Sequence, residues 1–178
     1  FIEDKSHDVQ RMMMHDGITG YKEGLNNLGI SILNTSLDVY DDESEIEAGT
    51  AKISPDGRHI AEALSQNSVQ DAVKVLLKRK LGGCTIVFDQ DTLYLIEASD
   101  WDGTKPFEYR VKEIPHTDTV ARTNHGLWMP DAGYQRDPKN KSHTLSRISS
   151  ETRLLLAQAV VETAQDPEDL VDGMCQVY

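Results

Sequence analysis

An α+β fold with antiparallel strands is what this sequence predicts, and three observations predict it. Apolar residues alternate with period two in several short runs, while two longer stretches carry helical i, i+3, i+4, i+7 spacing. The helical stretches are segregated from the strands instead of alternating with them, which argues against a doubly wound parallel sheet. Neither GxGxxG nor GxxxxGK[ST], the glycine loops that cradle phosphates, occurs anywhere in the chain.

Taken in order, RMMMHDGI from Arg11 reads as a strand, and GISILNTSL from Gly29 as a better one, with Ile30, Ile32 and Asn34 alternating against Ser31, Leu33 and Thr35. The acidic run Tyr40 to Gly49 reads as a solvated loop, with metal binding the weaker alternative because carboxylates alone are poor evidence. HIAEALSQ predicts a short helix. SVQDAVKVLLKRK predicts a clear one: Ser68 is the N-cap, and Val69, Ala72, Val73, Leu76 and Leu77 form its apolar stripe. Its basic end, Lys78 to Lys80, suits the negative helix terminus, and Gly82-Gly83 is expected to stop it. CTIVFD and TLYLIEAS flank Asp89-Gln90-Asp91 as a hairpin. FEYRVKEI is expected to be a half-buried strand with Phe107, Tyr109 and Val111 inward, and TVARTNH is a further strand candidate. After a polar loop from about Pro130 to His143, SSETRLLLAQAVVETA is apolar nearly all round and is expected to pack in a layer. DPEDLVDGM makes a last short helix with Pro167 in its first turn.

The 178 residues fit one domain, residues 1–178, and 38% hydrophobic residues suffice for a packed core. A net charge of −12 repels phosphate backbones and speaks against nucleic-acid partners. No apolar run reaches the ~20 residues of a membrane span. Two cysteines, Cys84 and Cys175, form no CxxC or Cys/His cluster, so neither a zinc site nor a disulfide framework is expected, and a cytoplasmic setting is the default. No cofactor is implied. The sequence leaves the oligomeric state open, a homo-oligomer included.

Three polar residues carry candidate chemistry. Asn34 ends an apolar strand, Asn124 sits in TNHGLW, and Arg147 lies in HTLSRIS. An asparagine can donate its amide to a developing oxyanion, and an arginine offers a planar fork to a carboxylate. Each also has a structural reading: a backbone-bonded turn amide, a loop tie, a surface ion pair. His15, His125 and His143 match no metal spacing, and Cys84 at a strand start has no paired base and reads as a core cysteine. His125 and Trp128 either shape the mouth of a pocket or anchor a loop.

Together these segments resemble a known family. GLNNLGISILNTSL resembles the G-[ML]-N-x-x-G-[LI]-x-[IV]-x-x-N segment of N-terminal-nucleophile (Ntn) hydrolases, close to the acyl-CoA:6-aminopenicillanate acyltransferase-like and choloylglycine hydrolase-like proteins. GGCTIVFDQDTLYLIEAS, ARTNH and SHTLSRISS come next in that family's order, and the resemblance spans roughly Gly24 to Leu156. It implies a four-layer αββα sandwich with antiparallel sheets. It also implies an amidohydrolase or acyltransferase that cleaves a linear, non-peptide C–N amide bond in a small molecule. The nucleophile would be the first residue of an autoproteolytically processed chain, with its own α-amine, of pKa about 7.7–8, as base. By position, Asn124 corresponds to the oxyanion asparagine, Asn34 to a second pocket asparagine and Arg147 to the arginine near the nucleophile. His125 and Trp128 would contact substrate.

The sequence departs from that pattern at its start. Phe1 cannot be a nucleophile, and FIEDKSHD is similar to the stretch just after an Asn-Arg-Asp-aromatic segment in that family. Missing sequence is therefore expected upstream, and the end at Tyr178 is early for the family. The alternative is a non-catalytic αββα binding or structural protein without the nucleophile.

Overall fold

The computed structural model describes residues 2–4, 11–15, 21–37, 56–99, 107–115, 118–133 and 135–175. The acidic run from Tyr40 to Gly49 lies outside them.

Seven strands form one antiparallel sheet in chain order: β1 (Ile2–Asp4), β2 (Arg11–His15), β3 (Tyr21–Asn26), β4 (Ser31–Thr35), β5 (Gly83–Phe88), β6 (Leu93–Ala98) and β7 (Tyr109–Ile114). The fold is α+β. Among the described residues, two helices, α1 (Asp56–Ala63) and α2 (Val69–Arg79), lie in the connection between β4 and β5, and α3 (Lys141–Thr163) and α4 (Pro167–Cys175) follow the sheet. No helix among the described residues is long and apolar enough to cross a membrane.

Strand alternation sorts the sheet into two faces. Pairing of Ile32 with Val87 and of Thr85 with Ile96 sets these side chains on one face. There Ile32, Val87, Ile96 and Ala98 pack against Ile60, Ala63, Ala72 and Leu76 from α1 and α2 and against Leu64, just past α1. Each aliphatic side chain removed from water there contributes about 1.5–3 kcal/mol, so this contact is the main source of cohesion. On the other face, Cys84 and Leu95 form a smaller cluster with Leu37 and Ile114, covered by Val120, Trp128 and Ala132. Further along that face, Leu25 and Leu33 are 43% and 42% exposed.

The helix predicted from Ser68 is present, and the Ser68 hydroxyl accepts from the Asp71 N–H. Its stop differs from the expected glycine pair. Lys80 takes the left-handed conformation (φ 59°), with its N–H donating to Leu77 O and the Leu81 N–H donating to Leu76 O. That is the Schellman arrangement, completed without glycine. Gly83 serves β5 instead: at φ +103° it passes so close to β4 that a Cβ would lie 2.6 Å from Thr35 O. The hairpin at Asp89 forms as expected, the Asp89 carboxylate accepting from the N–H groups of Asp91 and Thr92.

Three expectations need correction. TVARTNH is not a strand; its backbone is irregular, and only His125 makes an isolated bridge, to Gly133. Strand β7 is not half-buried: as the sheet's edge it exposes Tyr109 and Val111, and only Ile114 is buried. Helix α3 starts well before Ser149, capped by the Asn140 side chain accepting from the His143 N–H, so Arg147 lies within it. Its apolar surface is not packed all round, since Leu155 is 67% exposed and only Ser150, Leu154 and Ala157 are buried.

Candidate functional site

The segment between β7 and α3 owes its shape to one carboxylate. Glu97 occupies a position in β6 that alternation directs toward the loop-covered face, and it is completely buried. Its carboxylate accepts from three consecutive backbone N–H groups: Leu127 at 3.0 Å, Trp128 at 2.7 Å and Met129 at 3.1 Å. Successive amides converging on an anion form a nest, here filled by the chain's own side chain. Arg122 Nε stands 3.5 Å from Glu97 Oε1 and makes no hydrogen bond among the described residues, so it contributes charge instead. The same guanidinium lies 5.1 Å from the centre of the Trp128 ring. Gly126 is required where the nest folds back, because a Cβ there would sit 2.2 Å from Met129 O.

Above this loop, Thr123 and His125 are tied to α3. Thr123 Oγ1 donates to Ser150 O at 2.9 Å, and His125 Nδ1 lies 2.8 Å from Ser150 Oγ. A serine beside a histidine suggests nucleophilic catalysis, yet Ser150 and His125 are both buried. Ser150 Oγ also donates to Thr123 Oγ1, so the trio is a clamp and not an attacking dyad. Burial, followed by the nearby Arg147 charge, lowers the His125 pKa, which keeps the imidazole neutral.

Asn124, between the clamped residues, faces the other way. Its amide donates to Thr35 Oγ1 and to Ser36 O, each at 2.9 Å, and Arg153 Nη2 donates to its oxygen at 3.0 Å. Asn124 and Arg153 line an open cleft of about 340 Å³, together with Leu145, Ser146 and Ser149 from α3. Ser146, Ser149 and Arg153 follow i, i+3, i+7 spacing and so share one helix face.

No protein-family model, curated protein or solved structure matches this chain.

Of the residues singled out from sequence, Asn124 alone lines the cleft. Asn34 lies on the helix-covered face of β4, where its amide donates to Thr85 Oγ1 at 2.8 Å and to Gly82 O at 3.2 Å. It is one residue from Thr35, which Asn124 meets, but strand alternation turns the two asparagines to opposite faces. The structure does not bring the two carboxamides together. Arg147 donates to Glu151 Oε1 at 2.7 Å, one helical turn on, and Arg136 holds the other oxygen. These two arginines lower the Glu151 pKa. Trp128 and His125 anchor the loop and do not line the cleft. Cys84 is 1% exposed, and burial, reinforced by the neighbouring Glu97 charge, pushes its thiol up to about 12, so it is not a nucleophile. Among the described residues no group of three His, Cys, Asp or Glu side chains is arranged to hold a metal ion.

Sequence reasoning missed Glu97, Arg153 and Asn26. Glu97 had a signal: a carboxylate inside the apolar run TLYLIEAS needs a buried partner. Asn26 stood in GLNNLG unremarked. It is buried, donates to Leu64 O at 2.9 Å, and accepts from the N–H groups of Leu28 and Ile30, each at 3.0 Å, so it ties the β3–β4 turn to the end of α1. Arg153 had none, because only folding sets it opposite Asn124.

Proposed function

We propose that this chain is an Ntn-type amidohydrolase or acyltransferase acting on a linear amide of a small molecule at the Asn124–Arg153 cleft. The observation that carries the reading is the cleft itself, where a carboxamide from the clamped loop meets a guanidinium and two serine hydroxyls in open space. The apolar sheet surface at Leu25 and Leu33, opposite the helices, is what a second sheet would cover in a four-layer αββα sandwich.

In this reading a chain-terminal Cys, Ser or Thr, exposed by autoproteolytic processing, attacks the substrate carbonyl carbon. Its proton passes to the neutral α-amine, whose pKa of about 7.7–8 leaves it available near neutral pH. The carbonyl oxygen becomes an oxyanion, and Asn124 turns one N–H from Thr35 or Ser36 toward it. Collapse breaks the C–N bond, the amine leaves with the proton held by the α-ammonium, and the acyl group passes to water or to an acceptor amine. Asn34 acts indirectly by fixing the end of β4 that carries Thr35, and the Arg147–Glu151 pair fixes the helix turn beside the cleft.

A second reading, a non-catalytic αββα binding protein, is favoured by one observation: both amide hydrogens of Asn124 are already engaged within the protein. Turnover of a panel of chromogenic acyl amides by the full-length processed protein separates the two. The catalytic reading expects Asn124→Ala to lower kcat about 10²–10³-fold with little change in KM. A parent inert across the panel favours the binding protein, and an active parent matched by Asn124→Ala removes Asn124 from the chemistry.

A further inference from the structure

We propose that the outward face of α3 is an interface between two copies of this chain, their α3 helices packed antiparallel about a two-fold axis near Thr152. This surface is independent of whether the cleft cleaves amides, because it uses a different face of the helix.

Helix α3 carries two apolar stripes. Ser150, Leu154 and Ala157 form the first, which is buried. Leu145, Ile148, Thr152, Leu155 and Ala159 form the second, recurring at alternating steps of three and four, the a/d spacing of a coiled-coil seam. At about 100° per residue, this seam lies on the opposite side of the helix from the buried stripe. All five of its residues are exposed, and exposed Leu156 widens it. A contiguous apolar surface of this length on a folded chain marks an interaction site. The cleft residues Ser146, Ser149 and Arg153 lie roughly a third of a turn away round the helix, so pairing along the seam leaves the cleft at the edge of the interface.

The charge pattern favours a second copy as the occupant. From Gln135 to Arg153 the chain holds Arg136, Lys139, Lys141, Arg147 and Arg153 against Asp137 and Glu151. From Leu154 to Cys175 it holds Glu162, Asp166, Glu168, Asp169 and Asp172, with no lysine or arginine. Helix α4, which carries three of these acids, is packed closely on α3: a Cβ at Gly173 would lie 2.6 Å from Val160 Cγ1. The acidic half is thereby fixed beside the end of the seam. Antiparallel pairing sets the basic half of each copy against the acidic half of the other, and the two-fold axis repeats the match. Parallel pairing would set like charge on like. A uniformly charged partner would match one half and oppose the other, and the acidic half repels anionic lipid headgroups.

Sedimentation equilibrium of the full-length protein across about 1–100 μM tests the pairing. A reversible dimer is expected, weakened several-fold by about 0.5 M salt, which screens the end-to-end charge match. Leu155→Glu, at an exposed position that the monomer does not need, should weaken the dimer about a hundredfold or more, since each dimer loses two leucine contacts and gains two carboxylates. Thr152→Leu should tighten it, because the seam gains an apolar side chain at its centre. In a Cys175→Ser background, a short bismaleimide should cross-link Thr152→Cys into dimers and leave Leu145→Cys uncross-linked, since only a residue near the axis meets its own counterpart. A chain that stays monomeric to about 100 μM, or a dimer indifferent to both Leu155→Glu and Thr152→Leu, would overturn the proposal. Cross-linking at Leu145→Cys in place of Thr152→Cys would overturn the antiparallel arrangement.

Discussion

The two faces of the central sheet are held by different physics. On the helix-covered face, aliphatic side chains from β4, β5, β6, α1 and α2 interlock, and no single atom is indispensable. On the loop-covered face, a small apolar cluster is supplemented by one buried carboxylate that holds three backbone amides and faces a nearby arginine. Hydrophobic packing spreads its stabilisation over many contacts, whereas a buried polar network concentrates it and fixes geometry to a fraction of an ångström. The site residue Asn124 belongs to the second kind of region.

The largest expected effect is at Glu97. Glu97→Ala strands three partly buried N–H groups and the Arg122 charge, and should cost about 3–5 kcal/mol in urea unfolding. Leu76→Ala on the other face should cost a similar or smaller amount, about 2–5 kcal/mol, as a cavity at a packed leucine does. What distinguishes the faces is rescue. Leu76→Met should recover most of the loss, while the near-isosteric Glu97→Gln should not recover Glu97→Ala, because its amide NH₂ meets backbone donors. Recovery by glutamine would place the stabilisation in volume and not charge.

A smaller effect sharpens the same contrast through pH. Burial holds the His125 pKa below its ordinary value of about 6.5, so the unfolded chain takes up a proton there more readily than the folded one. The contribution of this histidine is fully present above about pH 6.5 and is lost as the pH falls through that value toward its lower folded pKa. Unfolding midpoints at pH 8 and pH 5 should therefore converge in His125→Gln relative to the parent. An unchanged difference would assign the acid sensitivity to other groups.

Legibility in the sequence divides along the same line. Helix α2 and the β5–β6 hairpin could be read because apolar periodicity, the Ser68 cap and the Asp89 turn are local signals. The loop-covered face was not, because Asn124, Glu97 and Arg153 meet across long sequence separations that no period encodes. TVARTNH looked like a strand by its residue types. Its neighbouring loop instead satisfies backbone amides on a side chain, so tertiary context overrode propensity. Helix α3 shows the reverse failure: its apolar run predicted burial, yet Leu155 and Leu156 remain largely open to solvent. At the site, Asn124 was legible only as a polar residue following an apolar run, while Asn34 faces away from it because a strand's alternation sends adjacent residues to opposite faces.

Amide hydrogen exchange at Leu127, Trp128 and Met129, followed by NMR in the parent and in Glu97→Gln, tests the central claim most directly. A carboxylate-filled nest predicts protection comparable to that of the β5 and β6 amides in the parent, and its selective loss at these three residues in the variant. Exchange at the rate of an unstructured peptide in the parent, or protection that survives in Glu97→Gln, would contradict it.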